Sequence, residues 1–210
     1  MKQYSILNYL FCVIFLGQLM SFKESDEPLR KVFNQTELKT IEKIIKYYDD
    51  FVISQTGNQL SIDKAYIAFL DKTTPLVNEA VGVNVFLPDK NERITFYRTL
   101  DKGALSEIYD IRDTLTIHFR GEGKARKIYS PYSFSLNFDG KYVAFLKELS
   151  SRSDFYRNYY ESVQVGGDIS PKNYAMILQD YKKIDFNKKE ERLVFIINLL
   201  RTVETIKRDK

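Results

Sequence analysis

Cysteine and histidine occur once each in the 210 residues, at Cys12 and His118, and tryptophan is absent. A single thiol forms no internal disulfide, a Cys/His zinc site lacks its ligands, and a mechanism that needs two imidazoles is excluded. Glycine and proline are scarce at nine and five residues, so no Pro/Gly/Ser-rich linker marks a domain boundary. Fixed-period repeats and low-complexity tracts are missing too. Charge of one sign is also lacking: 32 basic against 28 acidic residues leave +4. The charges are interspersed, so the balance points neither to nucleic acid nor to an anionic membrane surface. What is present is enough for a core, with 44% hydrophobic and 29% charged residues in a length that suits one domain.

The N-terminal stretch MKQYSILNYLFCVIFLGQLMSF carries one lysine and an apolar run before the charged KESDEPLRK. That layout predicts a signal peptide over residues 1–21 with cleavage near Ser21, leaving one domain over 22–210. The segment from Ile6 to Phe22 is short for a bilayer-crossing helix of about 20 residues and contains Asn8 and Gln18, so a retained anchor is the second choice. Phe11 before Cys12 is too large for a lipidation site. The expected location is therefore exported, periplasmic or secreted, with membrane contact only if the N-terminal segment is retained.

Helical signals dominate the remainder. Asn34 and Glu37 form a capping-box pattern with Phe33 placed to staple onto Leu38, and Ile41, Ile44, Ile45, Tyr48 and Val52 share one face up to Gly57. Ser61 opens a second helix, Thr74-Pro75 a short third, and Asp89 a stripe through Ile94, Tyr97, Leu100, Ala104, Ile108 and Ile111, as one long helix or two short ones. Val83 to Leu87 reads as extended. Leu115, Ile117 and Phe119 alternate, as do Phe134, Leu136 and Phe138 before Asp139-Gly140, a hairpin dipeptide. Residues 134–146 fit a hairpin or the start of a helix, and the longer stripe from Tyr142 to Val163 favours a helix from about Gly140. Ser170-Pro171 starts another helix, and Asn187 with Glu190 caps the last, whose face is Leu193, Ile196, Ile197, Leu200 and Val203. Glu190, Arg192, Arg201 and Glu204 fall at other angles of that helix. The fold expected is mainly α, a single-domain bundle of about seven helices with a short extended or hairpin segment near residues 114–138.

The stretch from Gly166 to Leu200, with Gly-Asp-x-Ser-Pro before one helix and Asp-Phe-Asn before the next, resembles the C-terminal part of small uncharacterised exported bacterial proteins. The resemblance implies export and a helical fold. It transfers no activity, because the shared elements are capping devices.

Few constellations carry chemistry. Gly121-Glu122-Gly123-Lys124 fails as a phosphate loop, since His118 stands where the opening glycine belongs and Ala125 where a magnesium-binding hydroxyl belongs. Asn137-Phe138-Asp139-Gly140 fails as a calcium loop, because Leu146 occupies the position of the bidentate glutamate. Glu107, Asp110, Asp113 and His118 are the best enzyme or metal candidates, carboxylates near an imidazole that would serve a hydrolase or a metal-dependent enzyme. Lys182-Lys183 and Lys188-Lys189 around Asp185 and Glu190-Glu191 read as a solvated mixed face. Phe155, Tyr156, Arg157, Tyr159 and Tyr160 concentrate aromatic surface and a cation on one and a half turns, a candidate interaction surface. The expectation is a non-enzymatic exported module that binds a protein or envelope partner through this tyrosine-rich surface, with no catalytic, cofactor-binding or metal residue assigned, no cofactor and no nucleic acid.

Overall fold

The computed structural model describes residues 27–77, 83–118 and 125–206, with 83–84, 111–118, 125–133 and 203–206 described through the backbone alone. The expected signal segment, its cleavage point, Cys12 and the Gly121–Lys124 loop lie outside the described residues. Helix α1 spans Glu27–Val32 and α2 spans Gln35–Thr56. The capping box between them forms as the sequence dictates: Asn34 Oδ1 accepts the amides of Thr36 and Glu37 at 2.9 and 3.0 Å, and Glu37 Oε2 accepts the Asn34 amide at 2.7 Å. Gly57, at φ 93°, ends α2 in a conformation that favours glycine.

Helix α3 spans Ile62–Val77 and contains Pro75. The expected third helix at Thr74-Pro75 is instead the last turn of α3, where the amide that proline lacks would have served only that turn. Val83–Phe86 is a 3-10 turn and not extended, with Phe86 buried and its carbonyl accepting the Tyr48 hydroxyl at 2.9 Å. A short apolar run reads the same in either conformation, and burial decided this one. Next come α4, Lys90–Tyr97, and α5, Lys102–Ser106, started by the Asp89 and Asp101 carboxylates.

The stripe that continued through Ile108 and Ile111 breaks at Glu107, and strand β1 runs Tyr109–His118 against β2, Ala125–Leu136. The pair is antiparallel from Tyr109↔Leu136 to His118↔Ala125, with its register shifted between Arg112 and Thr114. Pro131 falls in the bulge on β2, where a residue without an amide costs the ladder nothing. After β2 the chain enters a helix, which resolves residues 134–146. Helix α6 spans Lys141–Ser150 and α7 spans Asp154–Gly166, separated where Ser153 Oγ accepts the Tyr156 amide at 3.3 Å. The stripe from Tyr142 to Val163 therefore belongs to two helices. Gly167 caps α7 at φ 67°, α8 spans Pro171–Asp180 behind a Ser170/Asn173 capping box, and α9 spans Lys189–Ile206. The described residues thus form nine α-helices and one two-stranded antiparallel hairpin, a mainly α bundle with more and shorter helices than expected.

The expected apolar face of α9 understates that helix. Residues 190–202 are buried on every side, including Glu190, Glu191, Arg192, Asn198 and Arg201 beside Leu193, Ile196, Ile197 and Leu200. The consecutive apolar run from Leu193 to Ile197 has no outward face, so the rest of the fold wraps it. Asn187 is not its cap. Asp185 Oδ1 takes the Asn187 amide at 3.1 Å, and Glu191 Oε2, one residue beyond the expected Glu190, reaches back to the Asp185 amide at 2.8 Å. Aromatic rings fill much of the core around α9, with Tyr66 stacked on Phe186 at 4.6 Å and Phe195 edge-on to both.

Candidate functional site

Residues Glu42, Lys46, Asp49 and Ile53 stand three or four positions apart on α2, with Ile45 next to Lys46, and so form one stripe along the helix. Lys189 and Arg192 from the first turn of α9, and Ile62 from the start of α3, close the other side of an open groove of about 500 Å³, with Asp50 also in its lining. Its position follows from the buried start of α9. The Asp185–Asn187 turn delivers the helix with Arg192 facing α2, where Arg192 Nη1 donates to the Phe186 carbonyl and Nε sits 3.2 Å from Asp49 Oδ1.

Asp49 is the centre of this array. The buried Tyr66 hydroxyl donates to the same Oδ1 at 2.9 Å. Burial raises the Asp49 carboxyl above the ordinary carboxylate range, against the opposing pull of Arg192 and the Tyr66 hydrogen bond. Burial and the Asp49 charge push the Tyr66 phenol well above its usual value, so it stays a donor. The rim is laced by exposed pairs: Lys46 meets Asp50 at 2.8 Å and Lys189 meets Glu42 at 3.4 Å. Such pairs contribute little and open at little cost.

The reading of Glu190-Glu191 as a solvated face is corrected by the burial of both. Glu190 Oε1 pairs with Arg152 at 2.9 Å, and Glu191 accepts from Tyr156, Asp185 and Lys188. Buried carboxylates at this depth require such partners. The signal that would have placed them is the all-round apolar run that follows, since a helix wrapped on every side carries its first turn inside with it.

The tyrosine-rich segment divides. Tyr156 and Tyr159 are core residues, Tyr156 bonded to Glu191 and Tyr159 accepting Asn198 Nδ2 at 3.0 Å, so neither belongs to the candidate interaction surface. Their spacing of three turns them both toward α9. Phe155 and Tyr160 are half-buried, and Arg157 is exposed with Asp154 at 2.9 Å.

The Glu107, Asp110, Asp113 and His118 set is drawn out along the chain. Glu107 follows α5, where Oε2 accepts the Lys141 amide at 3.2 Å and its carbonyl accepts the Tyr142 amide at 3.0 Å. Asp110, Asp113 and His118 lie on β1, and Asp110 pairs with Ser135 near one end while His118 pairs with Ala125 at the other. At about 3.3 Å per residue the two positions are roughly 26 Å apart. One reacting atom within hydrogen-bond reach of both is excluded by that span. Among the described residues no cluster of three His, Cys, Asp or Glu side chains is arranged to hold a metal ion, and no helix is long and apolar enough to cross a membrane.

No family model, curated protein or solved structure matches the chain.

Proposed function

We propose that the chain is an exported, non-enzymatic binding module, and that it engages a protein partner through the groove between α2 and the start of α9. The observation that carries this reading is the Tyr66–Asp49–Arg192 array. It places an acceptor and a cation, each largely buried, in the lining of an open groove of about 500 Å³. The carboxylates elsewhere act in positioning the fold: Glu107 fixes the start of α6, Glu191 the start of α9, and Asp168 ties Arg201 to the Leu136 and Ile169 amides. A second surface, the outward edge of α7 at Phe155, Arg157 and Tyr160, keeps part of the expected tyrosine-rich patch.

A photo-crosslinking residue placed at Lys46 or at Tyr160 in the native host compares the two surfaces. The expected result is an adduct from position 46 that Ile53→Glu removes. Adducts from position 160 alone, insensitive to that substitution, would move the site to α7. Export is tested by sequencing the N-terminus of protein recovered from the host. A start near Phe22 is expected, and a start at Met1 with extraction only by detergent would make the segment an anchor.

A further inference from the structure

We infer that the groove takes an extended, uncharged peptide segment of the partner, with one peptide group bridging Asp49 and Arg192 and an aliphatic side chain resting on the partly exposed Ile53 and Ile62. This rests on the groove being the ligand surface, and adds the chemistry of its occupant.

The donors and acceptors set the match. Asp49 Oδ1 is taken by Tyr66 and Arg192, whereas Oδ2 has no hydrogen-bond partner among the described residues. Arg192 Nη1 is taken by the Phe186 carbonyl, and Nη2 makes no hydrogen bond among the described residues. Arg192 Nε is buried at 3.2 Å from Asp49 without the alignment of a hydrogen bond, so the pair is held short of full satisfaction. The two side chains are only 17% and 8% exposed, and groups that dry gain much from one good partner. An open acceptor beside an open donor is the complement of a peptide N–H beside a peptide C=O.

Charge and lining select against the alternatives. Glu42, Asp49 and Asp50 balance Lys46, Lys189 and Arg192, so a ligand with net charge of either sign meets a like charge wherever it finds an opposite one. The lining contains three isoleucines and no aromatic ring. A sugar would find no stacking platform there, while an aliphatic side chain finds surface of its own kind. The volume of about 500 Å³ accommodates a few residues of extended chain.

Selection of a phage-displayed random peptide library on the full chain tests this, followed by titration of the enriched peptide in synthetic form against amide resonances of the protein. The expected outcome is enrichment of uncharged, aliphatic-containing peptides, with resonance changes in α2 and the first turn of α9 and at least about tenfold weaker binding by Ile53→Glu. Asp49→Asn alters a buried ion pair and is read only where its circular dichroism matches the parent. Ile62→Ser provides an independent groove variant, also expected to weaken binding. Failure to enrich any sequence, or enrichment of strongly charged peptides, overturns the peptide inference. Binding on a glycan array that Ile53→Glu abolishes also overturns it but leaves the groove as the site. Peptide binding indifferent to both Ile53→Glu and Ile62→Ser overturns the groove itself.

Discussion

Tyr156 donates its hydroxyl to Glu191 Oε2 at 2.6 Å across 35 residues of sequence. The same oxygen accepts the Asp185 amide at 2.8 Å, so one carboxylate joins α7, the turn before α9, and α9 itself. Burial and the Glu191 charge raise the Tyr156 phenol far above its usual value, which keeps it a donor at any physiological pH. Tyr156→Phe removes a hydrogen bond to a charged group and is expected to lower stability by about 2 kcal/mol in urea denaturation. Arg157→Ala, one residue away on the exposed side, is expected to change it by less than about 0.5 kcal/mol. A neutral Tyr156→Phe with impaired partner binding would return this tyrosine to the interaction surface.

The buried phenols predict the alkaline limit of the fold. Burial is the largest cause raising Tyr66, Tyr109 and Tyr142 well above their usual value and Tyr181 to about 12. In the unfolded chain they ionise near pH 10. Below that pH both states hold their protons and the stabilisation is complete. Above it the unfolded chain loses protons that the folded chain keeps, so stability falls as pH climbs from about 10 through 12. Phenolate absorbance from these residues is expected to rise together with the loss of helical circular dichroism. Their ionisation well ahead of unfolding would contradict the burial.

Local signals in the sequence were reliable where the interaction is local. The Asn34/Glu37 box, the Gly57 stop and the Ser170-Pro171 start were all legible, because each is satisfied within four residues by its own backbone. Asp168 was not. It stands in a stretch that reads as a cap, yet it accepts Arg201 Nε at 2.9 Å and the Leu136 amide at 3.1 Å, partners more than 30 residues away. The groove was hidden for the same reason: Asp49, Tyr66 and Arg192 come from three helices, and helical periodicity carries no information about which helices meet. The division of the tyrosine patch needed the position of α9 as well.

Helix α9 is buried from Glu190 to Thr202. Ile197 and Leu200 are buried, and the Ile197 carbonyl also accepts the Tyr109 hydroxyl at 3.2 Å. Truncation of either side chain to Ala is expected to cost about 2 to 5 kcal/mol, transfer and cavity terms together. Denaturant midpoints of Ile197→Ala and Leu200→Ala measure it. Parent-like stability in Leu200→Ala would show the helix to be an interaction surface and not the core.

Gly140 separates two explanations of one glycine. As the second residue of an Asp-Gly hairpin turn it would need a positive φ, but its φ is −81° and it precedes α6. What excludes a side chain is space. A Cβ at position 140 would lie 2.5 Å from the Glu107 carbonyl oxygen, which accepts the Tyr142 amide at 3.0 Å. Gly140→Ala therefore pushes the start of α6 away from the end of α5 and is expected to cost about 1 to 3 kcal/mol. Gly166→Ala is the matched control, since a Cβ there meets nothing within 4 Å and the residue ends α7 in helical conformation. That substitution is expected to be neutral or to add up to about 1 kcal/mol by restricting the unfolded chain. Thermal and urea unfolding of the two variants side by side decide the matter. Equal effects at both positions would mean that the approach of Glu107 to Gly140 does not constrain the fold.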